Sequence, residues 1–148
     1  MYFEPLLPPG IHDLEVSEIG NHFLSKFSTS TTRAVLIAGL QDYLDCIRKY
    51  SIDYEIWIDG SFVTKKENPR DIDMVVFASN IQIQSIPISM REELELLLVG
   101  RSHIRQKFGL DVLFAVSEDK EMRSYWRGWY GFDRNEHPKG IARIFISQ

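Results

Sequence analysis

The sequence predicts an α+β fold, a mixed β-sheet with helices packed mainly on one face. Two observations carry that expectation. Strand-like apolar segments begin near residues 54, 72, 110 and 140. Segments with apolar residues at steps of three and four precede and separate them, as amphipathic helices do. The 148 residues fit one domain, 1–148, with a core of its own.

Each element has a local reason. Three prolines in "EPLLPPG" forbid helix and favour polyproline geometry, so residues 1–12 read as an extended N-terminal arm pinned by Leu6 and Leu7. Val16, Ile19, Phe23 and Phe27 predict a short amphipathic helix. "STSTT" at 28–32 is a polar break with N-cap candidates for a helix over roughly 31–50, striped by Ile37, Leu40, Leu44 and Ile47. "YEIWIDG" alternates Tyr54, Ile56 and Ile58 against Glu55, Trp57 and Asp59. "SFVTKKENPR" connects it to "DIDMVVFA", a strand apolar on both faces after its first residues, as a central strand is. Ser89 and Glu92 have capping-box spacing at the start of a helix over 89–100, with Gly100 at the C′ position, and "RSHIRQKFG" adds a turn or two. "LDVLFAV" at 110–116 is a third strand. Residues 117–131 form a helix capped by Ser117, with Met122, Tyr125, Trp126 and Trp129 at core spacing, although aromatic and Arg residues in "YWRGWYGFDR" also suit base stacking or a protein interface. "FDRNEHP" is a loop and "KGIARIFIS" a closing strand.

Composition narrows the function. Net charge is −4 and the pI about 5.6, which argues against a constitutive nucleic-acid coat. The single cysteine, Cys46, cannot form an internal disulfide and points to a reducing, cytoplasmic setting. No apolar run reaches the roughly 20 residues that span a bilayer, and the N-terminus lacks a basic, then apolar, signal segment. His12, His22 and His137 have no metal-ligand spacing and read as structural or surface residues.

The chemistry concentrates at "DGSFVTKKENPRDID". Asp71 and Asp73, at i and i+2 on a strand, point to one face. They repel each other, and each is costly to bury without a partner. A divalent cation such as Mg²⁺ relieves this, taking one or two carboxylates together with substrate phosphates. Gly60 at the end of the preceding strand lets a phosphate approach the backbone, and Ser61 adds a hydroxyl. Asp111 completes a three-carboxylate cluster if its strand lies beside the Asp71–Asp73 strand. Arg101, His103, Arg105 and Lys107 lie just before Asp111 and suit either a grip on phosphate or a solvated helical face.

A strand ending in Gly-Ser, a short loop, D-x-D on a second strand and a lone Asp on a later one resembles the nucleotidyltransferase superfamily of the DNA polymerase β type. The resemblance covers roughly residues 55–116. "PPGIH" and "DGSFVTKKENPRDIDMVVF" also look like a small bacterial family of nucleotidyltransferase-like proteins of poorly known function. The resemblance implies a nucleotidyltransferase-like fold. It implies two Mg²⁺ (or Mn²⁺) ions on Asp71, Asp73 and Asp111, an NTP substrate whose triphosphate lies at Gly60 and Ser61, and Asp111 helping to deprotonate the attacking hydroxyl. The loop here lacks the Arg-Gly that follows Gly-Ser in minimal relatives, and Lys65, Lys66 or Arg70 supply positive charge in its place. Two functions follow as expectations. One is a Mg-dependent enzyme that moves a nucleoside monophosphate to a hydroxyl on RNA or a protein. The other is a non-catalytic module of the same fold acting through a protein partner or a homo-oligomer, as in toxin–antitoxin or phage-defence pairs.

Overall fold

The computed structural model describes residues 2–132 and 138–147. Most of the "FDRNEHP" loop, with His137, lies outside the described residues. Four strands stand where the sequence puts them: Tyr54–Asp59, Ile72–Ala78, Leu110–Val116 and Gly140–Ile146. A fifth, Gly10–Asp13, precedes them. In chain order these are β1 (Gly10–Asp13), β2 (Tyr54–Asp59), β3 (Ile72–Ala78), β4 (Leu110–Val116) and β5 (Gly140–Ile146). The sheet order is β1-β5-β2-β3-β4. β1 pairs parallel with β5 and β3 parallel with β4, while β2 runs antiparallel to both of its neighbours. The fold is therefore α+β with a mixed sheet.

β1 corrects the reading of residues 10–13 as the end of an arm and the start of a helix. Four residues are too few to show a period of two, and the strand exists because β5 offers its edge. The helix expected from Val16 to Phe27 is a 3-10 turn (Val16–Glu18) followed by α1 (Ile19–Phe23), which buries Ile19 and Phe23. α2 (Arg33–Arg48) buries the expected stripe together with Leu36 and Tyr43. Within the polar break, Ser30 Oγ accepts the Arg33 N–H at 3.2 Å. α3 (Asn80–Gln84), capped by Ser79, is too short for its periodicity to be read.

α4 (Ile88–Val99) begins after Pro87, one residue earlier than expected, and the Ser89–Glu92 capping box does not form. Proline's fixed φ already suits the entry to a helix, so the side-chain cap is superseded. Reciprocal capping of that kind joins Glu15 and Glu18 instead. Gly100, with φ −79°, joins α4 to α5 (Arg101–Phe108) rather than ending the helical run. α5 ends at Gly109, whose φ of +74° is the left-handed cap that glycine tolerates. α6 (Lys120–Tyr130) is capped by Asp119, whose carboxylate accepts the Met122 N–H, and not by Ser117.

The alternation of the strands sorts the core into two faces. Ile56, Ile58, Met74, Val76, Val112 and Ile144 pack with the buried residues of α1, α2, α4 and α5. Trp57, Val75, Phe77, Ala115 and Ile141 form a smaller cluster on the opposite face, covered by Met122, Trp126 and Tyr130 of α6. Helices thus lie mainly on one face, with α6 alone on the other. The core reading of α6 holds only for Met122 and Trp126. Tyr125 and Trp129 are 55% and 65% exposed, because a helix laid across so small a patch buries only the stripe at 122, 126 and 130.

Candidate functional site

The acid-bearing ends of β2, β3 and β4 meet on the α6 face. Asp59 pairs in register with Asp73, and Asp73 with Asp111. Residues in register on neighbouring strands project to the same face, so these three carboxylates form a row across the sheet. Asp71 precedes β3 by one residue. One oxygen from each of Asp71, Asp73 and Asp111 lies within 4.8 Å of the others. The parallel β3–β4 pairing is what delivers Asp111 to the pair.

Burial and mutual repulsion perturb these groups. Burial, followed by the charges of Asp71 and Asp111, pushes the Asp73 carboxyl up to about 6. Burial also raises Asp71, against the pull of Arg105. Asp111 is lowered, chiefly by its hydrogen bond from Arg101. Arg101 holds Asp111 bidentately, Nε to Oδ1 at 2.6 Å and NH2 to Oδ2 at 3.0 Å. Arg105 NH2 reaches the same Oδ2 at 2.6 Å and Asp71 Oδ2 at 3.7 Å.

Asp59 entered the sequence reading only as a strand end, yet it forms part of the site. It is 1% exposed, and its Oδ2 lies 3.1 Å from Lys139 Nζ. Its Oδ1 has no partner among the described residues. Burial, opposed by Lys139, pushes its carboxyl up to about 7. Tyr130, at the end of α6, is also raised, by burial and then by Asp73, Asp59 and Asp111. An aspartate ending an otherwise apolar strand was the available signal. Its partner 80 positions later was not visible.

Gly60 is demanded by the backbone and by its neighbour Asp73. Its φ is +77°, and a Cβ there would overlap Asp73 Oδ2 and lie 2.8 Å from Asp73 Cγ. The space left by the missing side chain is thus filled by Asp73 itself. Ser61 follows in a 3-10 turn, Gly60–Val63, half-buried beside the cluster.

The loop after Ser61 is fastened from two sides. The fully buried Arg33 donates to the carbonyls of Phe23 (2.9 Å), Phe62 (2.7 Å), Thr64 (2.8 Å) and Lys66 (2.6 Å). Its guanidinium sits 3.7 Å over the Phe27 ring, and desolvation lowers it to about 10. The N-terminal arm closes the other side: Leu6 N–H donates to Val63 O, and Lys65 N–H to Glu4 O, both at 2.8 Å. Of the three basic loop residues, Lys66 and Arg70 lie near enough to Asp71 to lower its carboxyl. Lys65 is instead ion-paired to Glu4 at 2.6 Å.

The donor set suits a hard divalent cation. It offers carboxylate oxygens only, converging from two sheet positions, Asp73 and Asp111, and from Asp71 immediately before β3. The unpartnered Asp59 Oδ1 adds a fourth negative oxygen at the same end of the sheet.

A family of unknown function (DUF6932) is described by a sequence model that matches residues 1–145. The chain belongs to this family. No curated protein and no solved structure matches it. The DUF6932 match covers the arm, the carboxylate row and β5 alike, so every site residue named above lies within it. No helix among the described residues is long and apolar enough to cross a membrane.

Proposed function

We propose that this DUF6932 chain is a Mg²⁺- or Mn²⁺-dependent nucleotidyltransferase of the DNA polymerase β type, moving a nucleoside monophosphate from an NTP to a hydroxyl on RNA or a protein. The observation that carries it is the convergence of Asp71, Asp73 and Asp111 within 4.8 Å beside Gly60-Ser61. Asp71, Asp73 and Asp111 would hold the cation, which when bound supplies charge neutralisation along the phosphates. Gly60 and Ser61 border the space for the triphosphate, with Lys66 and Arg70 supplying positive charge beside Asp71.

In the transfer, the acceptor's hydroxyl oxygen bonds to the α-phosphorus. The bond from that phosphorus to the oxygen bridging to the β-phosphate breaks, and pyrophosphate leaves. The hydroxyl proton passes to a carboxylate of the cluster.

A second reading has its own support: a non-catalytic module of the same fold, working through a protein partner as in a toxin–antitoxin or phage-defence pair. Arg101 and Arg105 already neutralise Asp111, as they would in a chain that needs no cation. Incubation with each α-labelled NTP, Mg²⁺ or Mn²⁺, and total RNA or lysate separates the two. Transfer of label that is lost in Asp71→Ala, with the fold intact, is the result expected of the enzyme. Undiminished labelling by Asp71→Ala removes the assignment. Absence of heat with every nucleotide in calorimetry favours the module.

A further inference from the structure

α5 places two arginines four residues apart, hence on one face, directly over Asp111. Ile104 and Phe108, three and seven residues after Arg101 and so beside the arginines on the helix, are buried and anchor that side of α5, which brings the arginines to the edge of the sheet. Their side chains are 57% and 51% exposed, so both retain the freedom to swing into solvent. Together they deliver three N–H groups to the two oxygens of Asp111, and Arg105 also leans toward Asp71. A carboxylate has about four lone-pair positions, so Asp111 is almost saturated by the chain's own cationic groups.

Lys139 is different. It is only 9% exposed and lies against the fully buried Asp59, so it is a fixed counter-charge. The two arginines are the movable ones. A guanidinium fork released beside a cluster holding a nucleotide has an obvious new partner, since it matches phosphate oxygens bidentately just as it matches a carboxylate.

We propose that Arg101 and Arg105 are an exchangeable latch: they hold Asp111 while the cluster lacks a divalent cation, give it up when the cation binds, and then become ligands of the substrate's phosphates. The inference rests on the cation reading of the cluster made above and adds residues to it. The latch makes cation and phosphate binding mutually reinforcing, because each relieves what the other would oppose.

The test is Mn²⁺ titration followed by electron paramagnetic resonance, with no nucleotide, on wild type, R101Q/R105Q and K107Q. Lys107 is an exposed cation on the same helix, so K107Q controls for the loss of one positive charge from α5. The double variant should bind Mn²⁺ about tenfold more tightly than wild type, and K107Q should stay near wild type. With Mn²⁺ saturating, inorganic tripolyphosphate should bind the double variant about tenfold more weakly. R101K/R105K, which keeps the charge and loses the fork, should recover only part of the tripolyphosphate affinity. If wild type binds Mn²⁺ and the double variant binds it no more tightly than K107Q does, the latch is wrong and the cation site stands. Unchanged tripolyphosphate affinity overturns the hand-over to phosphate. If wild type and the variants take up no Mn²⁺, the cation reading itself falls, and the latch with it.

Discussion

Gly60→Ala is the sharpest single perturbation of the site, because it adds one carbon and replaces no titratable group. Two costs can be worked out. The backbone at residue 60 sits at φ +77°, in the left-handed region, where a Cβ costs about 1–2 kcal/mol. The added carbon would also overlap Asp73 Oδ2 and stand 2.8 Å from Cγ and 3.0 Å from Cβ of Asp73. An ordinary carbon–oxygen contact is more than 3 Å, so the carboxylate must move by about 1 Å or more. Asp73 is the second residue of β3, in register with strands on both sides and with Met74 fully buried next to it, so the backbone cannot follow and the side chain must rotate instead. Cation–oxygen bonds near 2.1 Å tolerate little such movement. The expected result is a loss of about 2–3 kcal/mol in urea unfolding and a fall of at least about tenfold in Mn²⁺ affinity. Gly128→Ala is the matched control. That glycine lies within α6 with nothing near its missing Cβ, so alanine should stabilise by up to about 1 kcal/mol. An alanine at residue 60 that leaves both the urea midpoint and Mn²⁺ affinity unchanged would refute the account of how Asp73 is seated.

Arg33→Met keeps the length and removes the donors to four carbonyls; it should cost about 3–5 kcal/mol and raise proteolytic cleavage within residues 62–66, measured by urea unfolding and limited trypsinolysis. Trp129→Ala, at a side chain 65% exposed, should shift stability by less than about 0.5 kcal/mol, which a single melting comparison checks. The pH dependence has a definite sign. Asp73 is raised to about 6 from 3.8, so the folded state holds its proton more tightly than the unfolded chain does. Its contribution therefore favours the fold at low pH and is lost as pH rises from about 4 through about 6, by about 3 kcal/mol. Asp59, raised to about 7, acts in the same direction over a window that extends higher. The urea midpoint should thus rise as pH falls from about 7.5 to about 5, with a shallower rise in Asp73→Asn, whereas Mn²⁺ affinity should move the opposite way because the cation needs the ionised carboxylate.

The strands and the Asp71–Asp73 pair were legible for a shared reason: strand alternation and the D-x-D spacing are both local, whereas Asp111 joins them only through the β3–β4 pairing, which no local pattern fixes. Ile58 faces one core, and Trp57 and Asp59 the other, as the pattern of two requires. What stayed hidden depends on distant partners. Nothing local marks the arginine that opens α2 as the point on which carbonyls from residues 23 and 62–66 converge. β1 has too few residues to announce itself. The capping box at Ser89 was a sound local rule overruled by a better helix entry one residue earlier.

The hidden partners also explain how a sheet end this acidic folds at all. Asp59, Asp71, Asp73 and Asp111 would repel one another, and burial already raises three of them. The chain answers with three cationic side chains from elements that the local pattern does not connect to the cluster: Lys139 ahead of β5, and Arg101 and Arg105 on α5. Four carboxylates against the three cationic groups in contact with them leave one negative charge when all are ionised, before the more distant Lys66 and Arg70 are counted. An added divalent ion would overshoot that balance unless a cationic group moved away. Lys139 is enclosed and cannot, so the adjustment falls to the exposed arginines on Asp111. Cation binding at this cluster would consequently be an exchange rather than the filling of an empty cage, with its affinity set as much by α5 as by the aspartates.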